Sequence, residues 1–63
     1  MEAKLVRMTP GELEGYLVRL AAITPVVRWN GLPIAVAEAA RRARELEDTV
    51  PVATHGVEVY ALN

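Results

Sequence analysis

Sixty-three residues without a cysteine fit one domain, residues 1–63, and exclude a disulfide framework or a thiolate metal site. A dedicated nucleic-acid packager is usually far more basic than this net charge of −1, so any contact with nucleic acid must rest on where individual arginines sit. Apolar residues make up 52% of the chain, yet Trp29, Tyr16 and Tyr60 are its only aromatics; a small aliphatic core beside so much apolar surface points to a homo-oligomer, a dimer.

Taken in order, residues 3–8 read as a short strand that ends at Thr9-Pro10. A helix follows with clear start signals. Thr9 stands at the N-cap, Pro10 at the first helical position, and Glu12 completes a Thr-x-x-Glu capping box. Leu13, Tyr16, Leu17, Leu20 and Ile23 fall on one face at helical spacing. Gly15 costs this helix about 1 kcal/mol relative to Ala and marks a close helix contact. Thr24 precedes Pro25, which ends the helix near Ile23.

Val26-Val27-Arg28-Trp29 reads as a second strand, apolar at adjacent positions as in a strand covered on both faces. Asn30-Gly31 then allows two continuations, a two-residue hairpin turn or a strand-to-helix loop. The stripe Val36, Ala39, Ala43 and Leu46, opposite Glu38, Arg41, Arg44, Glu45 and Asp48, predicts a helix over 34–47 and favours the loop. Arg41, Arg42 and Arg44 form the one basic cluster. Glu38, Glu45 and Asp48 lie three or four residues away, so it reads as a solvated, self-paired helix face.

Residues 49–54 and 57–62 read as two strands joined by a tight turn at His55-Gly56, and Pro51 should face an edge or a bulge because it cannot donate to a ladder. The predicted order is βαβαββ, a small α/β protein of the α+β type. Right-handed crossovers would set strand two beside strand one, with strand three parallel to both and strand four antiparallel at an edge. The open face of such a sheet is either solvated or covered by another subunit, and Val and Leu on both parities of strand four favour the second.

Catalysis finds little support. The chain has no Ser or Cys nucleophile, one His and no phosphate-binding glycine loop, so the reading is non-enzymatic, with no cofactor and no metal. His55 reads most simply as a turn residue. No apolar run reaches the roughly 18 residues of a membrane span, which points to a cytoplasmic protein without a membrane partner. Six Arg against one Lys, with no Cys, Gln or Ser, suits a thermophilic or GC-rich source. Arg28 is the distinctive cation: beside Trp29 and Gly31 at a strand end, it brings charge, a stacking ring and free amides to one place.

Pro10 followed by Gly15-Tyr16-Leu17-Val18-Arg19-Leu20-Ala21-Ala22, and Trp29-Asn30-Gly31-Leu32-Pro33-Ile34 leading into an Ala-rich helix, resemble the Alba family of nucleic-acid-binding proteins. The resemblance implies the βαβαββ two-layer fold, which the C-terminal domain of the third bacterial initiation factor shares in element order. It also implies a dimer that binds RNA or DNA, with Arg7, Arg28, Trp29, Asn30 and Gly31 as contacts. The family's lysines before the first-helix proline are Met8-Thr9 here, and its basic hairpin arm is shortened to His55-Gly56. A second resemblance is local. Arg28-Trp29-Asn30-Gly31-Leu32-Pro33-Ile34-Ala35-Val36 is similar to the R-x-N-G-x-P-V-A-V hairpin of Phd/YefM-type antitoxins. It implies a strand over 32–37 and a protein-interaction subunit, an antitoxin or another, that binds a protein partner and no nucleic acid directly. Helix or strand at 32–37 separates the two readings.

Overall fold

A computed structural model describes residues 5–62; Ala3 and Lys4, expected in the first strand, lie outside the described residues. The elements are β1 (Leu5–Met8), α1 (Pro10–Leu20), β2 (Val26–Trp29), β3 (Leu32–Ala35), α2 (Val36–Arg44), β4 (Val50–His55) and β5 (Glu58–Ala61). The five strands form one mixed sheet in the order β1-β4-β5-β2-β3. This is a two-layer α+β domain, and the expected order βαβαββ is corrected to βαββαββ.

The correction begins at Asn30-Gly31. Both residues have positive φ, 50° and 86°, the signature of a type I′ turn, whose twist matches that of two antiparallel strands. Trp29 therefore pairs with Leu32 and Val26 with Ala35. The predicted helix over 34–47 shrinks to Val36–Arg44 because Leu32–Ala35 is drawn into the sheet. Val36 opens α2 without a side-chain cap. Its N–H is instead taken by the Pro25 carbonyl at 3.0 Å, so the end of the hairpin ladder satisfies one free donor of the helix.

Strand pairing also departs from expectation. With β3 on one side of β2, the other side takes β5 in parallel, and β1 pairs antiparallel with β4, not with β2. The last strand is thus central rather than an edge. The second turn moves by one residue as well: His55 pairs with Glu58, leaving Gly56-Val57 as the turn. Only Gly56 has positive φ, the II′ pattern; His55 stays extended and β-branched Val57 avoids the left-handed region. Pro51 lies in an interior strand, where Leu62 donates to its carbonyl at 2.9 Å. Its missing N–H falls at the end of the β4–β5 ladder, not at an edge or a bulge.

The capping box of α1 forms as expected, Thr9 N–H to Glu12 Oε1 at 2.8 Å and Glu12 N–H to Thr9 Oγ1 at 3.1 Å. Leu13, Leu17 and Leu20 are buried, but the helix ends at Leu20 and leaves Ile23 exposed in a turn. Both helices cover one face of the sheet. Their Leu13, Leu17, Ala39 and Ala43 pack with Val27, Trp29, Val52, Val59 and Ala61 from the strands. Within the chain β2 is therefore covered on one face only: Val27 and Trp29 are buried, Val26 and Arg28 exposed.

Candidate functional site

Side chains of paired residues share a face, so the register divides the sheet in two. Val52, Val59, Ala61, Val27 and Trp29 face the helices. Leu5, Arg7, Pro51, Ala53, His55, Glu58, Tyr60 and Arg28 alternate with them and face away. The five contact residues expected from the sequence do not come together. Trp29 points into the core with 7% of its surface exposed, where it is the largest packing residue. Arg7 and Arg28 share the open face, but on strands three spacings apart, about 14 Å.

The remaining loop groups are occupied within the chain. A regular parallel ladder between β2 and β5 would continue with Ala61 N–H donating to the carbonyl of residue 30. The chain turns there, and Asn30 Oδ1 accepts that N–H instead, at 2.8 Å. Asn30 thus tolerates the left-handed turn and completes the ladder with its side chain. Arg28 Nη2 donates to the Gly31 carbonyl at 3.1 Å, and its Nε lies 3.5 Å from Glu58 Oε1. The Glu58 carboxylate also accepts from the Tyr60 hydroxyl at 3.0 Å, and this hydrogen bond to an anion raises the Tyr60 phenol above its ordinary pKa. Arg28, Glu58 and Tyr60 form a nearly neutral polar row rather than a cationic loop.

Sequence reasoning expected apolar residues on both sides of the last strand but did not identify which of them lie on this face. Leu5, Tyr60 and Leu62 stand 58%, 39% and 47% exposed, with half-buried Ala53 and Pro51 between them. The signal was the alternation in Glu58–Leu62, legible only once the turn is placed at Gly56-Val57. Beyond Pro51 and Leu62 the face ends in an open concavity of about 600 Å³, also lined by Arg7, Leu46, Asp48 and Thr49. Arg7 reaches across it to donate to Thr49 Oγ1 at 3.2 Å.

The basic cluster of α2 is self-paired, as its spacing predicts. Arg41 bridges Glu38 and Glu45, and Arg42 also reaches Glu38, which lowers the Glu38 pKa through the Arg41 and then the Arg42 hydrogen bonds. Arg44 departs from the prediction. The helix ends before Asp48 comes into line, and Arg44 reaches across to Glu14 of α1 at 3.2 Å.

Among the described residues no group of three or more His, Cys, Asp or Glu is placed to hold a metal ion, and no helix is long and apolar enough to cross a membrane. Comparison with protein-family models, with curated proteins and with solved structures finds no match for this chain.

Proposed function

We propose that this chain is a non-enzymatic protein-interaction subunit whose partner protein lies on the open face of the sheet. One observation carries the reading: Leu5, Tyr60 and Leu62 are exposed together on the face that the helices leave bare. An apolar strip with one amphipathic ring, edged by a self-neutralised Arg–Glu row, suits a protein surface better than a phosphate backbone. The local similarity to Phd/YefM-type antitoxins implies a strand over 32–37; Leu32–Ala35 is a strand paired across the Asn30-Gly31 turn, while Val36 and Ala37 open α2. The test is co-expression with the protein encoded beside it. A complex is expected that Leu5→Glu and Tyr60→Glu each disrupt while the far-UV circular dichroism stays unchanged. A complex indifferent to both variants would overturn the assignment of the face.

A second reading, nucleic acid laid across the same face, is favoured by the placement of Arg7 and Arg28 on either side of exposed Tyr60. It predicts affinity for RNA or DNA that falls as salt rises and falls again with Arg28→Gln.

A further inference from the structure

We propose that the free edge of β1 pairs antiparallel with the β1 of a second copy, around a two-fold axis at Val6, to give a ten-stranded sheet. The proposal uses the edge and not the open face, so it stands or falls apart from the partner reading above.

The two edges of the sheet differ in what their backbones offer. In a two-residue hairpin the pair flanking the turn exchanges both hydrogen bonds, and every second pair repeats this. Counting from His55–Glu58 leads to Pro51–Leu62, where the Leu62 N–H bond to Pro51 is present. Val50 and Val52 therefore turn their backbone groups toward Met8 and Val6, which leaves the N–H and C=O of Leu5 and Arg7 pointing outward from β1. On the opposite edge the same count from Trp29–Leu32 leaves Pro33 and Ala35 outward. Pro33 has no N–H, the usual device against edge pairing. The outer edge of β1 has no proline and no break in register, and no described strand covers it.

Self-complementarity selects a second copy as the occupant. With the axis at Val6, Leu5 exchanges its backbone bonds with the partner's Arg7, and Arg7 with the partner's Leu5. A register centred on Arg7 would instead set guanidinium against guanidinium. Val6 points to the helix side beside buried Val52 yet is 46% exposed, and the partner's Val6 would cover it.

The helices agree with this axis. Helix α1 runs back along β1 from Pro10, so the level of Val6, about 7 Å behind Met8, matches about four to five helical residues, near Glu14 and Gly15. A groove of about 350 Å³ lies between β1 and α1, with Val6, Arg7 and Met8 on one wall and residues from Gly11 to Arg19 on the other. Glu12 and Arg19 lie on opposite sides of that level. The two-fold would bring Arg19 to the partner's Glu12, twice. Arg19 has no carboxylate partner among the described residues, and Glu12 uses Oε1 for its cap.

The chain has no cysteine, which allows a direct test. In the proposed register Val6 faces the partner's Val6 in a non-hydrogen-bonded pair, with Cα atoms about 4.5 Å apart, inside disulfide range. Val6→Cys should oxidise in air to a covalent dimer at micromolar concentration, and Leu5→Pro in the same chain, which removes an outward N–H, should suppress it. In sedimentation equilibrium the unmodified 6.9 kDa chain should self-associate to a dimer, at least tenfold weaker for Arg19→Glu and unchanged for Arg44→Glu, whose contact to Glu14 lies elsewhere. A monomer at 200 µM would overturn the proposal. So would a dimer whose Val6→Cys form stays reduced, or whose affinity ignores both Leu5→Pro and Arg19→Glu.

Discussion

The two faces of the sheet are built from the same strands, residue by residue in alternation, yet they differ in what they contribute. Toward the helices, Val27, Val52 and Val59 are fully buried or nearly so and, with Trp29, Val50 and Ala61, pack against Leu13, Leu17, Leu20, Val36, Ala39 and Ala43 to form the core. Away from the helices, Leu5, Tyr60 and Leu62 meet solvent. Strand parity therefore separates residues that hold the fold together from the exposed apolar residues on which the proposed partner contact rests. A chain of this length has one core, and it can leave the second face unfilled only if little folding energy depends on it.

Substitutions that break this contrast rank by size. Leu17→Ala empties the centre of the helix layer and should cost about 2–5 kcal/mol in urea unfolding. Gly31→Val forces a β-branched residue to φ 86° and should cost about 1–2 kcal/mol, because the type I′ turn carries the hairpin. Asn30→Gly keeps the turn but removes the side-chain acceptor of Ala61 N–H, for about 1 kcal/mol. On the open face, Leu62→Thr should change stability by less than about 0.5 kcal/mol. An equal loss from Leu17→Ala and Leu62→Thr would erase the distinction between the faces.

A smaller effect lies on the outer surface of α2. The folded pKa of Glu38 lies below its ordinary 4.5, through the hydrogen bonds from Arg41 and Arg42. Its contribution is therefore present above the ordinary value and is lost as pH falls through the lowered folded one. An acid titration followed by circular dichroism should show this loss in the natural chain and not in Glu38→Gln.

The helices were the legible part of the fold. The Thr9–Glu12 box and the Leu13–Leu17 spacing act within a few residues, so their physics is local. At Asn30-Gly31 two local signals competed. The helical stripe beginning at Val36 is real, but it starts where the strand ends, and periodicity alone extended it back over Leu32–Ala35. The Asn-Gly turn signal was the better guide to those four residues. Strand order was illegible for another reason: that β1 pairs with β4, and β5 enters the centre, depends on contacts far apart in the chain. Trp29 lies in the core and Asn30 ties the hairpin to β5, and in sequence a lone Trp and a turn residue look alike whether they bind a ligand or serve the fold. Arg28 does lie near a strand end, as expected; its Glu58 neighbour came from the parallel pairing that sequence alone did not supply.

The central claim is that the open face meets protein rather than nucleic acid, and a titration at low ionic strength tests it most directly. A fluorescent 20-nucleotide RNA and a duplex DNA of the same length would be followed by anisotropy against the full chain. The account predicts no saturable binding up to 100 µM protein. Saturable binding that weakens with salt and with Arg28→Gln would contradict it.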